Sequence, residues 1–239
     1  MLQACLNGGR SKQFNAALPC TADELARDAV SVVRLGAAEL HVHPRDRAGR
    51  ESLRPDDVAA ALEAIRASVP GTPVGVSTGW WIAPGGRVRH QHIRDWCVLP
   101  DYVSVNLIEE DAPEIIALVR DKGIGVEAGL WSVRDARRFV DFAGARQCLR
   151  VLIEINEQDA AVGLRVAKDI FGILDGADIR LPRLLHGADA TMWPLYRAAL
   201  EWELDARIGL EDGGFLPTGE QAGGNAALIE AAQALARRA

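Results

Sequence analysis

The stretch "TADELARDAVSVVRLGAAELHVHP", residues 21–44, holds one helix and one strand back to back. Thr21 is placed to cap a helix, with Glu24 three positions on to complete a capping box. Gly36 supplies the stop. The short run "AELHVH" then reads as a strand that ends abruptly at Pro44. Working outward, the same alternation recurs along the chain. Strand-like runs fall at 2–7, 38–43, 73–78, 102–107, 124–129, 148–155, 179–187 and 206–210. Helix-like runs follow at 21–36, 55–68, 88–97, 112–121, 132–143, 157–174, 190–203 and 222–237, with Pro55 suited to a first helical turn. A helical crossover returns the chain to the same end of a sheet, so the strands must pair in parallel. Eight such units predict an α/β fold, a (β/α)8 (TIM) barrel, with residues 1–239 as one domain. An open doubly wound sheet fits less well, because no glycine-rich phosphate turn follows a strand. Pro182 sits awkwardly inside the seventh strand.

The 239 residues carry a net charge of −6, which argues against general nucleic-acid binding. The four cysteines (Cys5, Cys20, Cys97, Cys148) form no C-x-x-C pair and read as reduced. No signal-like leader or membrane-length apolar run stands out, so the expected compartment is the cytoplasm.

Barrel chemistry collects at the C-terminal ends of the strands. Those ends offer His41 and His43, then Ser77, Thr78 and Gly79, then Ser104 and Asn106. Glu127, Glu154 and His186 follow, and the last strand brings Arg207, Glu211 and Asp212. Residues i and i+2 of a strand share a face, so His41 and His43 can hold one metal ion. Glu211 is the best third ligand. Two imidazoles, a carboxylate and an open position suit catalytic Zn²⁺, or another divalent ion. Bland readings stand beside these. Glu127 and Glu154 pair equally well with arginines inside a barrel, and His186 reads as structural. His90 and His92 read as solvated, and Trp80–Trp81 as rim packing or an apolar lid.

Residues 18–52, "LPCTADELARDAVSVVRLGAAELHVHPRDRAGRES", resemble the N-terminal signature of the β-keto acid cleavage enzymes, which include 3-keto-5-aminohexanoate cleavage enzyme. "VSTG", "SVN", "GVEAG", "RIGLED" and "GNAALIEAA" follow in the family's order. The resemblance implies a zinc-dependent (β/α)8 barrel that cleaves a β-keto acid with acetyl-CoA, giving acetoacetate and a new acyl-CoA. It implies His41, His43 and Glu211 as zinc ligands. Thr78, Gly79, Ser104 and Asn106 would bind the substrate carboxylate, and Asp212, Arg207 and Glu127 would form the charged catalytic group with Asp212 as base. It also suggests a homotetramer. Arg10 and Lys12 stand where members often carry an acid, Trp80–Trp81 replaces a glycine-rich turn, and "NEQDAAVG" replaces a glycine-rich segment. Those changes bear on the choice of keto acid and, to a lesser degree, on the use of CoA. Two rival readings are an amidohydrolase-type hydrolase using a metal-bound water, and a barrel that binds a small ligand without turning it over.

Overall fold

A computed structural model describes residues 1–82 and 86–238. Its strands are β1 Leu2–Cys5, β2 Glu39–Val42, β3 Val74–Ser77, β4 Tyr102–Asn106, β5 Gly125–Leu130, β6 Arg150–Ile155, β7 Arg183–Gly187 and β8 Asp205–Ile208. Its α-helices are α1 Ala22–Arg34, α2 Pro55–Ser68, α3 Gly86–Arg94, α4 Ala112–Asp121, α5 Val133–Asp141, α6 Ala160–Gly176, α7 Met192–Glu201 and α8 Asn225–Ala236. The strands pair in parallel in chain order, and β8 returns to β1 to close the barrel. The expected fold class is therefore the observed one. No helix among the described residues is long and apolar enough to cross a membrane.

Local chemistry explains the element ends. The Thr21–Glu24 capping box forms with both reciprocal hydrogen bonds, and Gly36 takes a left-handed φ of +98° just past α1. Pro55 opens α2 at a position where its missing N–H costs nothing. The seventh strand differs from expectation. It starts after Pro182, whose carbonyl accepts from the Val151 amide. The ring fixes the entry and the ladder begins one residue later. The third helix also ends early, at Arg94. Beyond it Trp96 buries and its indole donates to the Leu53 carbonyl at 2.8 Å.

The strands alternate in a consistent sense. Ala4, Leu40, Val42, Val74, Val76, Val103, Val105, Val126, Ala128, Val151 and Ile153 join the apolar core between sheet and helices. The residues between them, one position along each strand, point into the barrel, and there polar residues dominate. Gln3 donates to Glu127 at 2.8 Å and to the Tyr102 hydroxyl at 3.0 Å. Arg150 donates to Glu127 at 2.7 Å and also meets Glu39. The Tyr102 ring lies where a side chain on Gly75 would be: a Cβ there would come within 2.0 Å of it. Gln3, Tyr102, Glu127 and Arg150, with the half-buried Glu39 at its edge, thus form a mutually paired layer below the barrel mouth. Buried charge persists only when paired in this way.

Candidate active site

The end of β2 is shaped by its neighbours. Asn7, following β1, accepts the His43 amide at 2.9 Å and donates to the His43 carbonyl at 2.9 Å. Both bonds lock the backbone that carries the second histidine. Arg45, just past Pro44, donates to the carbonyls of Gly8 and Arg10 at 2.8 and 2.6 Å. Gly8 has φ +55°, and a Cβ there would lie 2.4 Å from Glu211 Cγ. Only glycine lets the β1 loop pass beneath Glu211. Arg10 holds the other side of this turn, donating to the Glu211 carbonyl at 2.8 Å and pairing with Asp189 at 2.7 Å.

These constraints bring His41, His43 and Glu211 together. The two Nε2 atoms face each other at 3.4 Å. Glu211 Oε1 lies 3.3 Å from His43 Nε2, and Oε2 lies 3.9 Å from His41 Nε2. One ligand atom from each residue falls within 4.8 Å of the others. Tetrahedral zinc with bonds of about 2.0 Å separates its ligand atoms by roughly 3.3 Å. The separation of the two Nε2 atoms is close to that spacing, and Glu211 brings one oxygen near each ring, Oε1 to His43 and Oε2 to His41. Glu211 Oε2 is buried with no hydrogen-bond partner, which suits an oxygen left for a cation. His43 Nδ1 meets Glu51 Oε1 at 2.5 Å. A carboxylate behind a ligating imidazole fixes its tautomer and raises its basicity.

The electrostatics agree. Burial pushes His41 down to about 3, so it is neutral and its lone pair is available. Burial also disfavours the charged form of His43, but Glu211 and Glu51 outweigh it and raise the group to about 9. Burial alone would raise Glu211; Arg207, His43 and His41 overcome it and hold the carboxyl well below its usual range. Glu211 and Glu51 hold a proton on His43, and a divalent cation bound between the rings and Glu211 would take that proton's place.

Arg207 spans Glu211 and Asp212, donating to Glu211 Oε1 at 2.8 Å and Asp212 Oδ1 at 3.1 Å. Cys5 donates its thiol to Asp212 Oδ2 at 2.8 Å. A cavity of about 220 Å³ is lined by His41, His43, Ser77, Ser104, Asn106, Glu154, Arg207 and Glu211, under Trp81 and Trp131. Trp81 is partly exposed and donates to Glu51 Oε1 at 3.3 Å, its ring 6.5 Å from that of Trp131. A second, more apolar cavity of about 630 Å³ lies alongside, lined by Trp80, Trp131, Ile108 and acidic side chains.

Ser104 and Asn106 thus reach the cavity, whereas Thr78 and Gly79 do not. The Thr78 hydroxyl donates to the Ser104 carbonyl at 2.7 Å and is fully buried. Ser77, one residue earlier, has the inward phase and takes that place. Glu127 is not brought to Arg207 and Asp212; its hydrogen bonds go to Gln3 and Arg150 in the layer below. His90 is not simply solvated, since it pairs with Asp111 at 2.7 Å. Glu51, Asn7 and Cys5 lie at the site without having been singled out in the sequence, whereas Arg10, noted there for its bearing on substrate choice, holds the turn beneath Glu211. Cys5 had a signal, being two positions before Asn7 on the inward face of β1.

A model of the beta-keto acid cleavage enzyme family matches residues 1–144 and 182–239. The 3-keto-5-aminohexanoate cleavage enzyme of Fusobacterium nucleatum subsp. nucleatum is 35% identical over 69 residues, covering 29% of this chain and 25% of that protein. Among solved structures, a ternary complex of ObcA with C4-CoA adduct and oxalate superposes with a TM-score of 0.74 at 14% identity. It covers 91% of this chain and 63% of that one. The 3-dehydroquinate dehydratase from Geobacillus kaustophilus HTA426 superposes with a TM-score of 0.63 at 10% identity, covering 99% and 90%. At those identities the likeness is one of fold. The match spans a quarter of the curated relative, and this chain spans about three fifths of the ObcA chain. With the family model matching most of the chain on either side of residues 145–181, the chain belongs to the beta-keto acid cleavage enzyme family.

Proposed function

We propose that the protein cleaves a β-keto acid with acetyl-CoA, yielding acetoacetate and a new acyl-CoA, and that zinc held by His41, His43 and Glu211 serves the reaction. The observation that carries this reading is the convergence of those three ligands with Arg207 in one cavity. When bound, the cation supplies Lewis acidity for a ketone oxygen.

The chain's own residues do the rest. Ser77, Ser104 and Asn106 offer hydroxyl and amide donors to the keto acid's carboxylate, which only accepts hydrogen bonds. They hold it across the cavity from Arg207. Asp212 is the base that keeps the proton taken from carbon 2, the carbon between ketone and carboxylate. Arg207 holds Asp212 ionised and ready to accept: burial opposes its charge, but Arg207 and His186 outweigh burial and lower the carboxyl below its usual value. Loss of that proton leaves an enolate that attacks the acetyl thioester and releases CoA thiolate. The thiolate then attacks the ketone, and the bond between carbons 2 and 3 breaks in the retro-Claisen sense. Trp81 and Trp131 stand at the cavity's rim, where they narrow the approach of water to the thioester.

The test is a mass-spectrometric screen of β-keto acids with acetyl-CoA and the zinc-loaded protein. New acyl-CoA together with acetoacetate supports the reading. Hydrolysis of an amide or lactone with no requirement for CoA would replace it with the hydrolase alternative.

A further inference from the structure

Asp212 has a difficulty as a base acting alone. It is 2% exposed, and both its oxygens are engaged, Oδ2 by the Cys5 thiol and Oδ1 by Arg207. It is not among the residues lining the cavity. A base must come within hydrogen-bond reach of the proton it removes. Glu154, by contrast, lines that cavity beside Arg207, and its side chain is 22% exposed. His186 stands between the two carboxylates. Its Nδ1 lies 3.2 Å from Asp212 Oδ1, and its Nε2 lies 3.8 Å from Glu154 Oε2. Glu154 and His186 are register partners on β6 and β7, so the backbone fixes them side by side. The His186 ring is buried and both its nitrogens lack a well-formed hydrogen bond. A buried imidazole flanked by two carboxylates and committed to neither is placed to pass protons between them.

We propose that Glu154 and His186 carry the proton between the cavity and Asp212, with Glu154 as the group that touches the substrate. This rests on the β-keto acid reading above. The C–H bond at carbon 2 breaks, its electron pair stays on the carbon as the enolate, and the proton forms an O–H bond on Glu154. Rotation of the Glu154 side chain, partly exposed, closes the gap to His186. The Glu154 proton then moves to His186 Nε2 while the proton on Nδ1 crosses to Asp212 Oδ1. The reverse sequence protonates the acetoacetate enolate left by cleavage, so the cycle neither gains nor loses a proton.

The experiment follows deuterium uptake at carbon 2 of the keto acid in D₂O without CoA, corrected for the enzyme-free rate, and acyl-CoA formation with acetyl-CoA. The full-length zinc-loaded protein is used throughout. Glu154→Gln is expected to lower both rates about 100-fold or more, with bound zinc and keto acid affinity unchanged. Glu154→Asp is expected to restore part of the loss, which a purely structural role would not predict. His186→Gln is expected to lower both rates as well, and the double variant to be no worse than Glu154→Gln alone. Wild-type rates in Glu154→Gln, with the wild type active, would overturn the proton path alone. A wild type that neither exchanges nor forms acyl-CoA with any keto acid would overturn the functional reading and the path with it.

Discussion

Replacing Glu51 by glutamine removes one charge and almost no volume. The structure says what that charge does. Glu51 Oε1 meets His43 Nδ1 at 2.5 Å and also accepts the Trp81 indole N–H at 3.3 Å. The partly buried Glu51 is kept ionised, since burial would raise its carboxyl but the His43 bond outweighs it. Glutamine's amide oxygen can still accept from Nδ1, so the variant loses charge assistance rather than the bond. Hydrogen bonds to charged groups contribute about 1.5–3 kcal/mol against about 1 kcal/mol for neutral ones. The difference of about 1 kcal/mol sets a floor of roughly fivefold on metal affinity. The usual range for removing a carboxylate behind a ligating histidine is about 10–100-fold. We expect Glu51→Gln to weaken zinc binding by about tenfold, read by titration against a competing chelator with circular dichroism to verify the fold. An affinity within about twofold of the wild type would refute the assignment of Glu51 as support for a metal ligand.

Two further predictions concern stability and the loop under the ligands. Asp28 is half-buried, and burial raises its carboxyl to about 6 despite the bond from Asn225. A raised carboxyl binds its proton more tightly when folded, so its contribution is full below about pH 4 and is lost as pH rises through 6. Asp28→Asn is therefore expected to be more stable than the wild type at pH 8, by about 1 kcal/mol once water screening of a half-buried group is allowed for. The gap should close by pH 4 in urea titrations; a destabilised variant at pH 8 would contradict the sign. Gly8→Ala places a methyl 2.4 Å from Glu211 Cγ at a backbone φ of +55°. It should cost about 1–2 kcal/mol in stability and weaken zinc binding, and a variant with unchanged chelator competition would show that Glu211 does not depend on this turn.

Much of the fold was readable because helix and strand runs alternate with few exceptions. Helices 55–68 and 112–121 coincide with the observed α2 and α4. The pairing of His41 with His43 follows from strand periodicity alone. The same periodicity fixes further side chains. In β3 the apolar Val74 and Val76 face the helices, which forces Ser77, and not Thr78, into the barrel. In β6 the run Arg150, Leu152, Glu154 faces inward, which sets Glu154 at the mouth and Arg150 in the layer below. Glu127 was harder to place, because its height in the barrel depends on strand register rather than on local pattern. The contact of Glu51 with His43 arises from how a loop folds back and that of His90 with Asp111 from how α3 packs beside the start of α4, and no local spacing encodes them. Proline's effect on β7 was visible as a conflict, and the strand resolved it by starting one residue later.

The site at the barrel mouth is most directly tested by metal analysis of the purified protein. Mass-spectrometric elemental analysis should find one zinc per wild-type chain, none in His43→Ala or Glu211→Ala, and a full complement in Asp212→Asn, which keeps all three ligands while losing turnover. A wild type without stoichiometric metal after zinc loading, or a Glu211→Ala variant that binds it undiminished, would contradict the account.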